Sequence, residues 1–99
     1  MGFLLNNDGE GDFLLSDSYT KDDILWITLR GLISKGKIDE AEDMLFREAE
    51  NNKSERVYEI GEKMYKLLDK KSEEELKRYN FSKEEIKLGL EDLRKIINK

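Results

Sequence analysis

Between Ile24 and Ala49 the chain reads ILWITLRGLISKGKIDEAEDMLFREA, two helical patterns hinged at Lys35-Gly36-Lys37. This stretch predicts an antiparallel helical hairpin with more apolar surface than the hairpin alone can bury. Projected at about 100° per residue, the first arm, Lys21 to Ser34, separates into two apolar faces. Leu25, Trp26, Leu29, Leu32 and Ile33 form a broad one, and Ile24, Ile27, Thr28 and Gly31 a smaller, flatter one. A helix on a solvated surface needs a single apolar stripe, so two stripes predict burial between two neighbours. The second arm is one neighbour. It aligns Ile38, Ala41, Leu45 and Ala49 on one side, with Met44 and Phe46 at the edges, and its alanines allow the two axes to approach closely. Gly36 supplies the left-handed residue that commonly ends a helix.

The remaining boundaries are legible as caps. Thr20 stands as N-cap before Lys21, with Asp23 three residues on and Tyr19 placed to pack on Ile24. Ser54 caps a third helix running to about Lys70, whose apolar set is Val57, Ile60, Gly61, Met64, Leu67 and Leu68, with Tyr58 and Tyr65 on one flank. Ser72 and Glu75 read as a capping box for a short fourth helix through Leu76 and Tyr79, and Asn80 as its left-handed stop. Ser82 and Glu85, with a Phe81 to Ile86 staple, open a fifth helix. That last helix buries Ile86, Gly89, Leu90, Leu93, Ile96 and Ile97 and leaves Leu88 pointing away. The fold class is therefore all-α, four to five short helices built on the hairpin.

Residues 1–19 are set apart as an acidic tail or short hairpin, and residues 20–99 as a single helical domain. The first segment places the apolar triplets Phe3-Leu4-Leu5 and Phe13-Leu14-Leu15 around an acidic turn. Those triplets offer one way to cover the second face of the first helix. The spacing of Asn6, Asp8, Glu10, Gly11, Asp12 and Asp17 is similar to a calcium-binding EF-hand loop. Asn6 stands where that loop has aspartate, however, and Asp17 where it has a bidentate glutamate, so an ordinary acidic turn is the favoured reading.

Composition narrows the function classes. With no cysteine and no histidine, disulfides, thiolate zinc sites, thiol nucleophiles and the commonest general base are all excluded. No cofactor or metal is expected. Residues 1–19 hold four acidic and no basic residues, 20–52 eight acidic and five basic, and 53–99 eleven acidic and thirteen basic. An acidic chain without a basic stripe is a poor nucleic-acid binder. The opening MGFLLNNDGE has no leading basic residue and only a short apolar run, so neither a signal peptide nor a membrane span is expected, and a cytoplasmic location is. Asn52-Lys53-Ser54 and Asn80-Phe81-Ser82 match the glycosylation pattern but read more simply as capping stretches.

Two resemblances follow from these residues. Gly36 near the turn, with Ala41 and Leu45 in the second arm, resembles part of a tetratricopeptide repeat. The late alanine of that repeat is replaced by Glu48, the closing proline is missing, and no second copy follows at a 34-residue period. The combination of GKIDEAEDMLF with SEEELKRYNFSKEEIKLGLEDLRKI resembles a family of small bacterial helical proteins known as a domain of unknown function, over about Asp23 to Ile97. That resemblance implies an all-helical fold and carries no activity or site residues.

The carboxylate pairs Asp22 with Asp23, Glu84 with Glu85, and Glu91 with Asp92 sit at helix starts or on polar faces. A catalytic pair needs a pocket that drives its two pKa values apart, so the chain is expected not to be an enzyme, and a small carboxylate enzyme is the remotest alternative. The expected function is a non-catalytic protein interaction module that self-associates as a homodimer. The interface candidates are Ile24, Ile27, Gly31, Phe46, Tyr58, Tyr65 and Leu88. The alternative is an acidic regulator or immunity-type inhibitor docking a basic partner. Trp26 is read as a core residue before an anchor.

Overall fold

Each helix starts where a hydroxyl can accept an orphan N–H, except at the hinge. The computed structural model describes residues 19–99, and places there α1 (Lys21–Ser34), α2 (Ile38–Asn51), α3 (Glu55–Asp69), α4 (Glu73–Lys77) and α5 (Lys83–Ile97). The readings made for the amino-terminal segment, apart from Tyr19, lie outside the described residues. The all-α class and the hairpin of α1 and α2 are as expected, and the described residues contain no strand.

Thr20 forms a full capping box: its Oγ1 accepts the Asp23 N–H at 3.1 Å, while Asp23 Oδ2 accepts the Thr20 N–H at 3.0 Å. The bond from the Thr20 backbone holds the Asp23 carboxyl below its ordinary pKa. Ser54, Ser72 and Ser82 cap the next three helices through the N–H groups of Val57, Glu75 and Glu85. The reciprocal halves expected at the last two differ from a box. Glu85 instead accepts the Ser82 hydroxyl at 3.3 Å, because that hydroxyl has a proton to give as well as a lone pair to offer. The staple expected between Tyr19 and Ile24 stays open to solvent, both residues being 43% exposed, whereas Phe81 and Ile86 are both buried.

Two turns share one hydrogen-bond pattern. Gly36 has φ 77°, and the N–H groups of Gly36 and Lys37 donate to Ile33 and Leu32 at 3.0 and 2.9 Å. Asn80 has φ 58°, and the N–H groups of Asn80 and Phe81 donate to Lys77 and Leu76, each at 3.0 Å. These are Schellman closures, which satisfy the last carbonyls of a helix through one left-handed residue. The two turns also meet, since the Tyr79 ring lies against Gly36.

The core is a single apolar cluster drawn from all five helices, including Leu29, Ile33, Leu45, Met64, Leu68, Leu76 and Leu93. α2 and α3 touch each other, and each also packs on both α1 and α5. The α3–α5 register is antiparallel. Glu55 and Tyr58 meet Arg94, Gly61 faces Leu93, Tyr65 faces Gly89, and Asp69 meets Lys83. α1 and α3 run in the same direction, with Asp22 on Arg56 at 3.6 Å near their starts and Trp26 within 5.8 Å of Lys63 further along. Trp26 is half-buried against the core, with Arg30 of α1 and Lys63 of α3 both near its ring.

α3 departs from the expected pattern at one place. Tyr65 is buried and Leu67 only half so. α5 approaches over the Gly61 and Tyr65 flank, so the face that sequence periodicity centres on Ile60 and Met64 is widened toward that side.

Candidate functional site

On α1 the residues Ile24, Ile27 and Gly31 fall three and four positions apart and so share one stripe. Ile24 is 43% and Ile27 45% exposed, on a helix whose opposite side supplies Leu29 and Ile33 to the core. A β-carbon at Gly31 would meet nothing within 4 Å, so the backbone there is open to approach. The hydroxyls along this stripe are turned inward. Thr28 Oγ1 donates to the Ile24 carbonyl at 2.8 Å, and Ser34 Oγ to the Gly31 carbonyl at 2.9 Å. Drying the stripe would therefore strand neither hydroxyl.

A second surface lies between α2 and α5. It is a groove of about 440 Å³ lined by Glu42, Asp43 and Phe46 on one wall and Glu85, Leu88, Gly89 and Asp92 on the other. Phe46 is half-buried against the core, and Leu88 is 48% exposed. None of these lining residues is basic. Beneath them the Tyr65 hydroxyl donates to Glu42 Oε2 at 2.6 Å. Burial is the largest influence on the Glu42 carboxyl and raises its pKa; Glu85, Asp39 and Asp43 push the same way, and the Tyr65 bond opposes them. Burial and the bond to Glu42 together raise the Tyr65 phenol well above its ordinary range.

The seven interface candidates thus divide. Ile24, Ile27 and Gly31 form one surface, and Phe46 and Leu88 belong to another. Phe46 faces the α2–α5 groove and is not an extension of the α1 stripe. Tyr58 is half-buried beneath the Arg94 guanidinium, 3.7 Å from the ring centroid, with Arg94 also bonded to Glu55 at 2.6 Å. Tyr65 is 1% exposed, because α5 closes over it at Gly89, and it lies at the base of the groove between α3 and α5. The sequence names Gly89 as a buried residue of the last helix and Glu85 and Asp92 as members of carboxylate pairs, but does not bring them to one groove with Glu42 and Asp43. The available signal was the spacing of Glu85, Leu88 and Asp92, which places acid, apolar residue and acid one turn apart on α5.

A wider groove of about 740 Å³ runs between α3 and α5 over Ile86 and Leu90, edged by Glu59, Glu62, Lys63, Lys66, Asp69, Lys83 and Lys87. Its charges are mixed, and Lys83 already answers Asp69 at 3.3 Å. Among the described residues, no group of three or more acidic side chains could hold a metal ion. None of the five helices in the described residues is long and apolar enough to cross a membrane.

Comparison with known proteins places the chain with one family model. The model of a family of unknown function aligns with residues 4–98, reaching further toward the amino terminus than the resemblance read from Asp23 onward. No curated protein and no solved structure matches.

Proposed function

The chain belongs to DUF6483, a family of unknown function, and since membership assigns no activity, we propose from its surface that it acts by contact as a self-associating interaction module. The observation that carries this reading is the α1 stripe, where Ile24 and Ile27 stand 43% and 45% exposed beside an open Gly31. Such exposed apolar strips mark contact surfaces when they are contiguous. A second copy is the occupant that matches the strip, since two α1 helices laid antiparallel about a two-fold axis set Ile27 on the partner's Ile27 and each Ile24 toward the open backbone of the partner's Gly31.

The magnitude sets where to look. A fully buried isoleucine contributes about 1.5–3 kcal/mol, so half-hidden ones add on the order of 1 kcal/mol each. Two from each copy give about 4 kcal/mol, which points to a weak, concentration-dependent dimer at around 1 mM. Light scattering up to that concentration tests it. The expected result is a mass rising from 11.7 kDa toward twice that value, and an Ile27→Asp variant that keeps its helical circular dichroism but stays monomeric. A wild-type chain that remains monomeric to about 1 mM, where even a 4 kcal/mol association would show, or an Ile27→Asp chain that still dimerises, overturns it.

A further inference from the structure

The groove between α2 and α5 is independent of the α1 stripe, and its chemistry selects a different occupant. We infer that it docks a basic amphipathic helix of another protein, seating one apolar side chain between Phe46 and Leu88 with Lys or Arg one turn to either side. Three features support this. Leu88 is 48% exposed although it stands beside the buried Gly89, so the groove's α5 wall is apolar there and reaches solvent. Glu42 and Asp43 rise on one wall and Glu85 and Asp92 on the other, with no cation among the lining residues to answer them. On α5 the order Glu85, Leu88, Asp92 repeats at three and four residues. Acid, apolar residue and acid thus span about 10 Å, the distance a partner helix covers in two turns.

A helix laid in a groove between two helices reads such a pattern through residues at the same spacing. The carboxylates then supply orientation and encounter rate, and the apolar pocket supplies the anchor. A second copy of this chain docked by a two-fold axis through the same groove would instead set two acidic rims face to face.

The test uses the intact chain and model helices of about fifteen residues, capped at both ends. One bears a central Leu with Lys one turn before and after it, and its twin carries Glu in place of Lys. Binding is read by fluorescence anisotropy, and its location by amide chemical shifts on the labelled chain. The expected result is that only the Lys helix binds, that shifts centre on Phe46, Leu88 and Gly89, and that affinity falls severalfold when salt rises from about 50 to 300 mM. Leu88→Ser should weaken binding about tenfold by removing the anchor, and Glu85→Gln with Asp92→Asn severalfold. Leu88 is exposed enough for its variant to keep the fold. Several results would overturn the inference: equal binding of the two twins, no binding by either, or shifts centred on α1. Unchanged affinity in Leu88→Ser, which would reduce the contact to general electrostatics, would do the same. So would groove signals that move with the chain's own concentration in the absence of peptide, which would give the groove to a second copy.

Discussion

The Tyr65 hydroxyl occupies the space that a β-carbon on residue 89 would need, so α3 and α5 can approach only because residue 89 is glycine. The same approach is made in reverse one turn away, where Leu93 fills the space beside Gly61. Each helix gives up a side chain to admit one from the other. Tyr65 then reaches past α5 to Glu42 on α2, tying three helices together through one hydroxyl.

Gly89→Ala should therefore destabilise. Alanine in a helix interior gains up to about 1 kcal/mol over glycine, but overpacking a filled core costs about 1–3 kcal/mol. The Tyr65 ring is held at both ends, so the cost is expected to win. A fall in melting temperature of several degrees, with weaker near-ultraviolet tyrosine signal, is the expected outcome.

Gly31 and Gly36 make a matched contrast. Gly31 is exposed, mid-helix and open, so Gly31→Ala should stabilise by about 0.5–1 kcal/mol. Gly36 has φ 77° and a β-carbon there would lie 2.5 Å from Tyr79 Cε1, so Gly36→Ala is strained by backbone and neighbour alike. It should lose on the order of 1–3 kcal/mol. Urea titrations of the two variants should shift the midpoint in opposite directions.

Glu42 makes stability depend on pH. Its folded pKa is raised above the ordinary 4.5, chiefly by burial, so the folded state holds its proton more tightly than the unfolded chain does. That difference costs stability once pH exceeds the folded pKa and vanishes below the unfolded one. Glu42→Gln keeps an acceptor for the Tyr65 hydroxyl and removes the charge. It should melt above the wild type at pH 7, and the gap should close as pH falls through the raised folded pKa to below the ordinary 4.5. A gap that persists at pH 3, below both values, would contradict this assignment.

Phe81 closes the α4–α5 turn as well as filling core. Its N–H donates to Leu76, and both side chains are buried. Phe81→Ala should cost about 3–5 kcal/mol, a large share of the stability of a domain this small. Hydrogen exchange should locate the loss first at residues 76–81, where the Schellman closure depends on that ring.

Local structure was legible because it is local. Thr20, Ser54, Ser72 and Ser82 each cap the helix that follows, and Gly36 and Asn80 each take the left-handed conformation, because caps and turns are decided by groups within a few residues of one another. The apolar stripes of α1 and α2 were readable for the same reason: periodicity alone says which side chains share a face. It could not say that Phe46 and Leu88 meet across a groove, that Tyr65 is core while Leu67 is half-exposed, or that Gly61 and Gly89 are the contact points of α3 and α5. Those facts depend on the angle and register at which one helix crosses another, and that geometry is set by side chains many residues apart competing for the same volume. The sequence by itself determined an all-α chain of four to five helices and most of their ends. Only the tertiary structure decided which apolar faces were covered and which remained for a partner, because burial belongs to pairs of surfaces and not to any one of them.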